Sequence, residues 1–178
     1  MFRTRRRPVY HDRPPRLGPV IFWRLGCRLY AKGYFRSAKA VKGVTFLVFR
    51  AILPPEAVVG AGVRLEHYGL GVVIHPNTVI GNRCRIYHGV TLGSSASIGS
   101  DDRIVIEDDV LIGAHAVVIN HIGRTLCIGA GSRIGANALV VDDVPAGATV
   151  LAPRGRVVGP APANGPTDRT GSPAGEPR

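Results

Sequence analysis

The sequence predicts an all-β fold, a left-handed parallel β-helix preceded by a short helical segment. Three observations carry the prediction. Between residues 57 and 141 an aliphatic residue returns every six positions: Ile74, Ile80, Ile86 and Leu92, then Ile106, Ile112 and Val118, then Ile128, Ile134 and Val140, with Val59 and Leu65 as an earlier pair. Small residues follow the aliphatic ones, as in T-V-I-G-N-R, V-L-I-G-A-H and S-R-I-G-A-N. The phase breaks three times, over Leu65 to Ile74, Leu92 to Ile106 and Val118 to Ile128, and each break is longer than one hexad.

A six-residue unit supplies a short strand and a corner, and three units close one triangular coil. The aliphatic residue of each unit faces into the prism and stacks on its equivalent in the next coil, so stability accumulates along the stack. Glycine after it (Gly81, Gly113, Gly129, Gly135) lets the backbone turn. A β-sandwich alternates polar and apolar residues but imposes no fixed hexad phase. The excess residues at the three breaks are loops thrust from a rigid scaffold, where chemistry tends to reside.

The remaining segments follow from composition. Residues 1–17 are basic and Pro-rich and read as a disordered arm. Residues 18–51 read as helical from the spacing of Val20, Trp23, Leu25, Leu29 and Tyr30, then Val41, Val44, Leu47 and Val48. Gly33 and Gly43 are expected to break or bend this stretch, and Pro54-Pro55 to end it. Residues 52–158 form the β-helix, and 159–178, rich in Pro, Gly and Ser, read as a disordered tail.

The net charge of +11 is not spread along the chain. Residues 1–50 hold 13 Lys and Arg against the single acid Asp12, whereas the rest hold 10 basic and 11 acidic groups. A nucleic-acid surface along the prism is therefore not expected. The basic helix could lie on an anionic membrane, but packing on the open end of the prism, where it would cover the first coil's strand edges, is the preferred expectation. Cys27, Cys84 and Cys127 are odd in number and lack metal spacing, which fits a reduced, cytoplasmic chain. The apolar stretch after the Arg-rich start is interrupted by Arg24 and Arg28 and has no cleavage motif, so a signal peptide is not expected.

Three segments carry a family resemblance: Leu65-Glu66-His67-Tyr68-Gly69, Ile74-His75-Pro76-Asn77-Thr78-Val79-Ile80-Gly81, and Ile86-Tyr87-His88-Gly89-Val90-Thr91-Leu92-Gly93. They resemble the hexapeptide-repeat acyltransferases, and the serine O-acetyltransferase branch most closely. The resemblance implies an acetyl-CoA-dependent O-acetyltransferase acting on a small-molecule hydroxyl acceptor, assembled as a homotrimer with sites between prisms. It implies His67 as general base with Glu66 beside it, His88 and Arg103 at the acceptor, and Gly93, Ala114, Arg133 and Ala136 along acetyl-CoA. Arg154 and Arg156 are further phosphate candidates. No metal is implied. An imidazole titrates in the range needed to take a hydroxyl proton, and a carboxylate can orient its ring. The loop before Ile104 reads Gly99-Ser100-Asp101-Asp102-Arg103, without the second histidine of the family, and the family's Asp of the first coil falls on Ile52. Serine is the leading acceptor. A sugar or another biosynthetic hydroxyl, a non-catalytic scaffold, and a carbonic-anhydrase-like enzyme using His88, His115 and His121 are the alternatives.

Overall fold

The computed structural model describes residues 18–156. The expected arm at 1–17 and tail at 159–178 lie outside these residues. The chain opens with helices α1 (Pro19–Ala31) and α2 (Phe35–Phe49). Pro19 starts α1, where its missing N–H costs nothing. Gly33, at φ 81°, makes the break between the helices. Gly43, expected to break or bend the stretch, instead sits inside α2. A helical glycine costs only about 1 kcal/mol, and the burial of Ala38 and Thr45 on the same helix outweighs it.

Thirteen short strands then wind into three parallel sheets that face one another as a prism. The first holds β1 (Val58–Val59), β4 (Thr78–Ile80), β7 (Ile104–Ile106) and β10 (Leu126–Ile128). The second holds β2 (Arg64–Leu65), β5 (Arg85–Ile86), β8 (Leu111–Ile112), β11 (Arg133–Ile134) and β13 (Thr149–Val150). The third holds β3 (Val73–Ile74), β6 (Thr91–Ser94), β9 (Val117–Asn120) and β12 (Leu139–Val140). The predicted hexad phase is the observed register. Ile80 pairs with Ile106, which pairs with Ile128; Ile86 with Ile112, which pairs with Ile134; Leu92 with Val118, which pairs with Val140. The aliphatic residue of each hexad points inward, joined in the first sheet by Ile104 and Leu126, and Ile86, Ile112, Ile128 and Ile134 are fully buried. Each contributes about 1.5–3 kcal/mol of burial.

The corners repeat as faithfully as the faces. After the first sheet, Gly62, Arg83, Asp109 and Gly131 all take positive φ; after the second, Gly89, His115 and Asn137 do. Stacked backbone bonds join them, with His115 N donating to His88 O at 3.0 Å and Asn137 N to Ala114 O at 2.9 Å. At the first corner Arg83 meets Asp109 at 2.6 Å, and Asn82 N donates to Asp108 at 2.7 Å. The Arg83 hydrogen bond holds the Asp109 carboxyl below its usual range, and the Asn82 backbone N–H does the same for Asp108.

The helices cover the first coil. Trp23 is buried, its Nε1 donates to Pro54 O at 2.8 Å, and Val20, Cys27 and Phe49 pack on the same core. Arg24 donates to Gly60 O, while Arg28, Lys32, Arg36 and Lys39 are exposed. Burial against the prism raises the Cys27 thiol to about 11. No described helix is long and apolar enough to cross a membrane.

Candidate active site

The first break in the hexads places His67. After β2 the chain makes a short turn, Glu66–Gly69, in which His67 (φ 52°, ψ 41°) and Tyr68 (φ 57°, ψ 19°) are both in the left-handed region. Two consecutive non-glycine residues there cost on the order of 1–3 kcal/mol each, a strain typical of functional turns. The surroundings hold the turn in place. Gly69 is buried against Leu65, Gly71 N donates to Arg50 O at 3.1 Å, and Gly89 N donates to Leu70 O at 2.8 Å. The Tyr68 ring stacks on Phe49 of α2, with centroids 6.4 Å apart.

This turn puts His67 against His88 of the next coil. Their Nδ1 atoms are 2.7 Å apart and the ring centroids 4.7 Å. One Nδ1 therefore carries a proton and the other a lone pair. His115, one coil further, lies edge-on to His88 with centroids 5.1 Å apart. Tyr87 meets the His67 ring edge-on at 5.8 Å. Three imidazoles thus climb one corner of the prism over three successive coils. Among the described residues no group of three or more His, Cys, Asp or Glu is arranged to hold a metal ion.

Gly89 makes this ladder possible. A Cβ at that position would lie 2.2 Å from His115 Nδ1, and Gly89 itself has φ 68°. Gly89→Ala should lower stability by about 1–2 kcal/mol through backbone strain alone and push the His115 ring off His88. Thermal unfolding together with the histidine ring NMR signals would check both.

Glu66 faces elsewhere. Its Oε1 accepts from Arg85 Nε at 3.0 Å and lies 3.6 Å from Arg64 Nε. Arg64 and Arg85 are register partners on the outer face of the second sheet, so the carboxylate sits where both guanidiniums converge. The structure therefore brings His67 to His88 and takes Glu66 to the arginines. Ala114 occupies the corner position of His88 one coil on, and Ala136 the same position one coil further. Arg133 is exposed on β11 beside this line. Gly93 lies on β6 in the third sheet, level with Ile119. Arg103 is exposed at the start of β7, on the first sheet, and its backbone contacts are with Thr125, Asn120 and Leu126 rather than with the histidines.

Two residues were not singled out by sequence reasoning. Asn77 is buried, and its Nδ2 lies within bonding distance of Ser97 O, Ser100 Oγ and Asp102 O, while its Oδ1 accepts from Gly99 N at 2.8 Å. One amide thereby pins the whole loop of the second hexad break. Asn120, also buried, donates to Arg103 O and Arg124 O. His75 is structural too. Its Nδ1 accepts from Asn77 N at 3.2 Å, and desolvation lowers its pKa.

No family model matches the chain. Curated relatives do. A serine acetyltransferase of Mycobacterium tuberculosis is 40% identical over 149 residues, 82% of this chain and 59% of the relative. A serine acetyltransferase of Helicobacter pylori is 32% identical over 144 residues, covering 81% of both chains. The chain belongs to the serine acetyltransferase family. Serine acetyltransferases of known structure share its fold. That of Neisseria gonorrhoeae, solved in complex with serine, superimposes with a TM-score of 0.68 at 36% identity, covering 75% of this chain and 53% of that one. That of Brucella abortus, solved with coenzyme A, gives a TM-score of 0.68 at 29% identity over 79% of this chain and 54% of that one. This serine acetyltransferase homologue thus spans about half the length of the solved structures and 59% of the M. tuberculosis relative.

Proposed function

We propose that the chain is an acetyl-CoA-dependent serine O-acetyltransferase with His67 as its general base. The observation that carries the reading is the strained, firmly anchored turn that presents His67 at the foot of the corner line His88, Ala114, Ala136. Family membership supports the chemistry, and the solved relatives with serine and with coenzyme A support the two substrates.

In this reaction the serine hydroxyl gives its proton to His67 Nε2 as its oxygen attacks the thioester carbon. The new C–O bond forms, the C–S bond breaks, and the departing thiolate takes the proton back from the imidazolium. Ala114 and Ala136 leave room for the extended substrate to approach the backbone, and Arg133 offers charge to its phosphates. Glu66 anchors the turn by holding Arg64 and Arg85. In this reading the acceptor site is completed between copies in a homotrimer, with the exposed Arg103 as a candidate acceptor contact. The outward Ile98, Ile122 and Leu139, each well exposed in the isolated chain, suit such burial. The cytoplasm is the proposed compartment, where the three unpaired thiols stay reduced.

One observation favours a different hydroxyl acceptor: the loop pinned by Asn77 carries no histidine. The test is thiol release from acetyl-CoA with serine, homoserine and a set of sugars. Release with serine well above the others supports the proposal. Release with a sugar alone replaces serine as acceptor, and no release with any hydroxyl compound removes the enzymatic reading.

A further inference from the structure

We infer that His88 is a positioning residue that fixes the tautomer of His67, taking the place a carboxylate would occupy. The inference rests on the reading of His67 as base, but its core is a statement about two rings.

The contact is Nδ1 to Nδ1 at 2.7 Å. A neutral imidazole carries one N–H, and the nitrogen that lacks it is the acceptor. His67 can act as a base through Nε2 only if Nε2 holds the lone pair. Its proton is then on Nδ1 and points at His88, which accepts with a bare Nδ1 and carries its own proton on Nε2. The opposite assignment puts the proton of His67 on Nε2 and abolishes base function. The contact therefore couples the tautomer of one ring to that of the other.

Among the described residues no carboxylate is bonded to either ring. Glu66 is held by Arg85 and Arg64, and the residue at the start of the first coil is Ile52, bridged to Val73. The neighbours of His88 keep it in place. Its ring is half-buried, His115 lies edge-on to it, and His88 O accepts from His115 N. When His67 takes a proton, its Nδ1–H still points at a lone pair, so a neutral imidazole supports the cation without adding charge. A second proton would set two N–H groups face to face at 2.7 Å and break the pair.

The test combines ring NMR with kinetics on the full chain. Nitrogen-15 spectra, assigned with His67→Ala and His88→Ala, should show His67 protonated at Nδ1 and His88 at Nε2. In His88→Ala, His67 should revert toward the Nε2–H form that free imidazole side chains prefer. The same variant should lose on the order of tenfold or more in kcat with the KM for acetyl-CoA unchanged. His88→Asn, whose amide can stand in for Nδ1, should restore most of that loss and confirms that the fold is intact. A wild-type His67 protonated at Nε2, or a His67 tautomer and kcat indifferent to His88→Ala, overturns the inference. If the tautomer responds as expected but wild-type protein releases no thiol, the pairing stands and the acyl-transfer reading fails.

Discussion

His67→Ala should reduce kcat for acetyl transfer by about 10²–10⁴-fold, the range that a positioned general base contributes. The KM for acetyl-CoA should change little, because Ala114, Arg133 and Ala136 lie on other coils. The backbone of the turn supplies a second readout. His67 sits at φ 52°, and an alanine there keeps the strain while losing the bond to His88. His67→Gly loses the same side chain but adopts left-handed backbone freely. It should be as inactive as His67→Ala yet more stable than it by about 1–2 kcal/mol, read as a higher melting temperature at equal protein concentration. Steady-state kinetics that left His67→Ala with half the wild-type kcat would remove the base from the mechanism. Equal stability of the two variants would mean that the turn is not held in the strained conformation.

The prism was legible because its interior asks one question of the sequence at every sixth residue. Ile74, Ile80, Ile86 and Leu92 fall on the third, first, second and third sheets in turn, so four hexads already define the coil. The turn at His67 was legible as a place where the phase fails, but not the direction in which each side chain leaves it. That Glu66 goes to Arg85 and His67 to His88 depends on two left-handed residues in succession, and neither histidine nor tyrosine signals that conformation as glycine would. Asn77 was hidden for a different reason. In the chain it reads as an ordinary turn residue after His-Pro, and only folding brings Ser97, Ser100 and Asp102 around its amide. His115 did leave a signal. It falls at the corner position of Gly89 and Asn137, so a histidine there had to be stacked beside the one at 88. Gly43 misled because helix propensity is a small term beside the packing of Ala38 and Thr45.

Ile112→Ala should destabilise the protein by about 2–5 kcal/mol, the cost of a large-to-small change in a core that cannot collapse. Ile112 is fully buried, with Ile86 in the coil on one side and Ile134 in the coil on the other. The spacing of those coils is set by the backbone, through Arg85 N to Val110 O, Leu111 N to Ser132 O and Gly113 N to Ile134 O. Nor can the coils close up at the next residue. A Cβ on Gly113 would already lie 2.6 Å from Ala136 N, so the neighbouring backbones are in contact there. The cavity left by the deleted methyls therefore stays open beneath the corner that carries His88 and His115. Val150→Ala removes apolar volume from the same sheet, but at its last strand and from a residue that is only half-buried. It should cost about 1 kcal/mol. The contrast follows from the stack itself, since an inner residue serves two neighbours and a terminal one serves a single neighbour. Denaturant unfolding of both variants at one protein concentration checks it. Equal losses would show that stability is shared across the whole prism rather than passed from coil to coil.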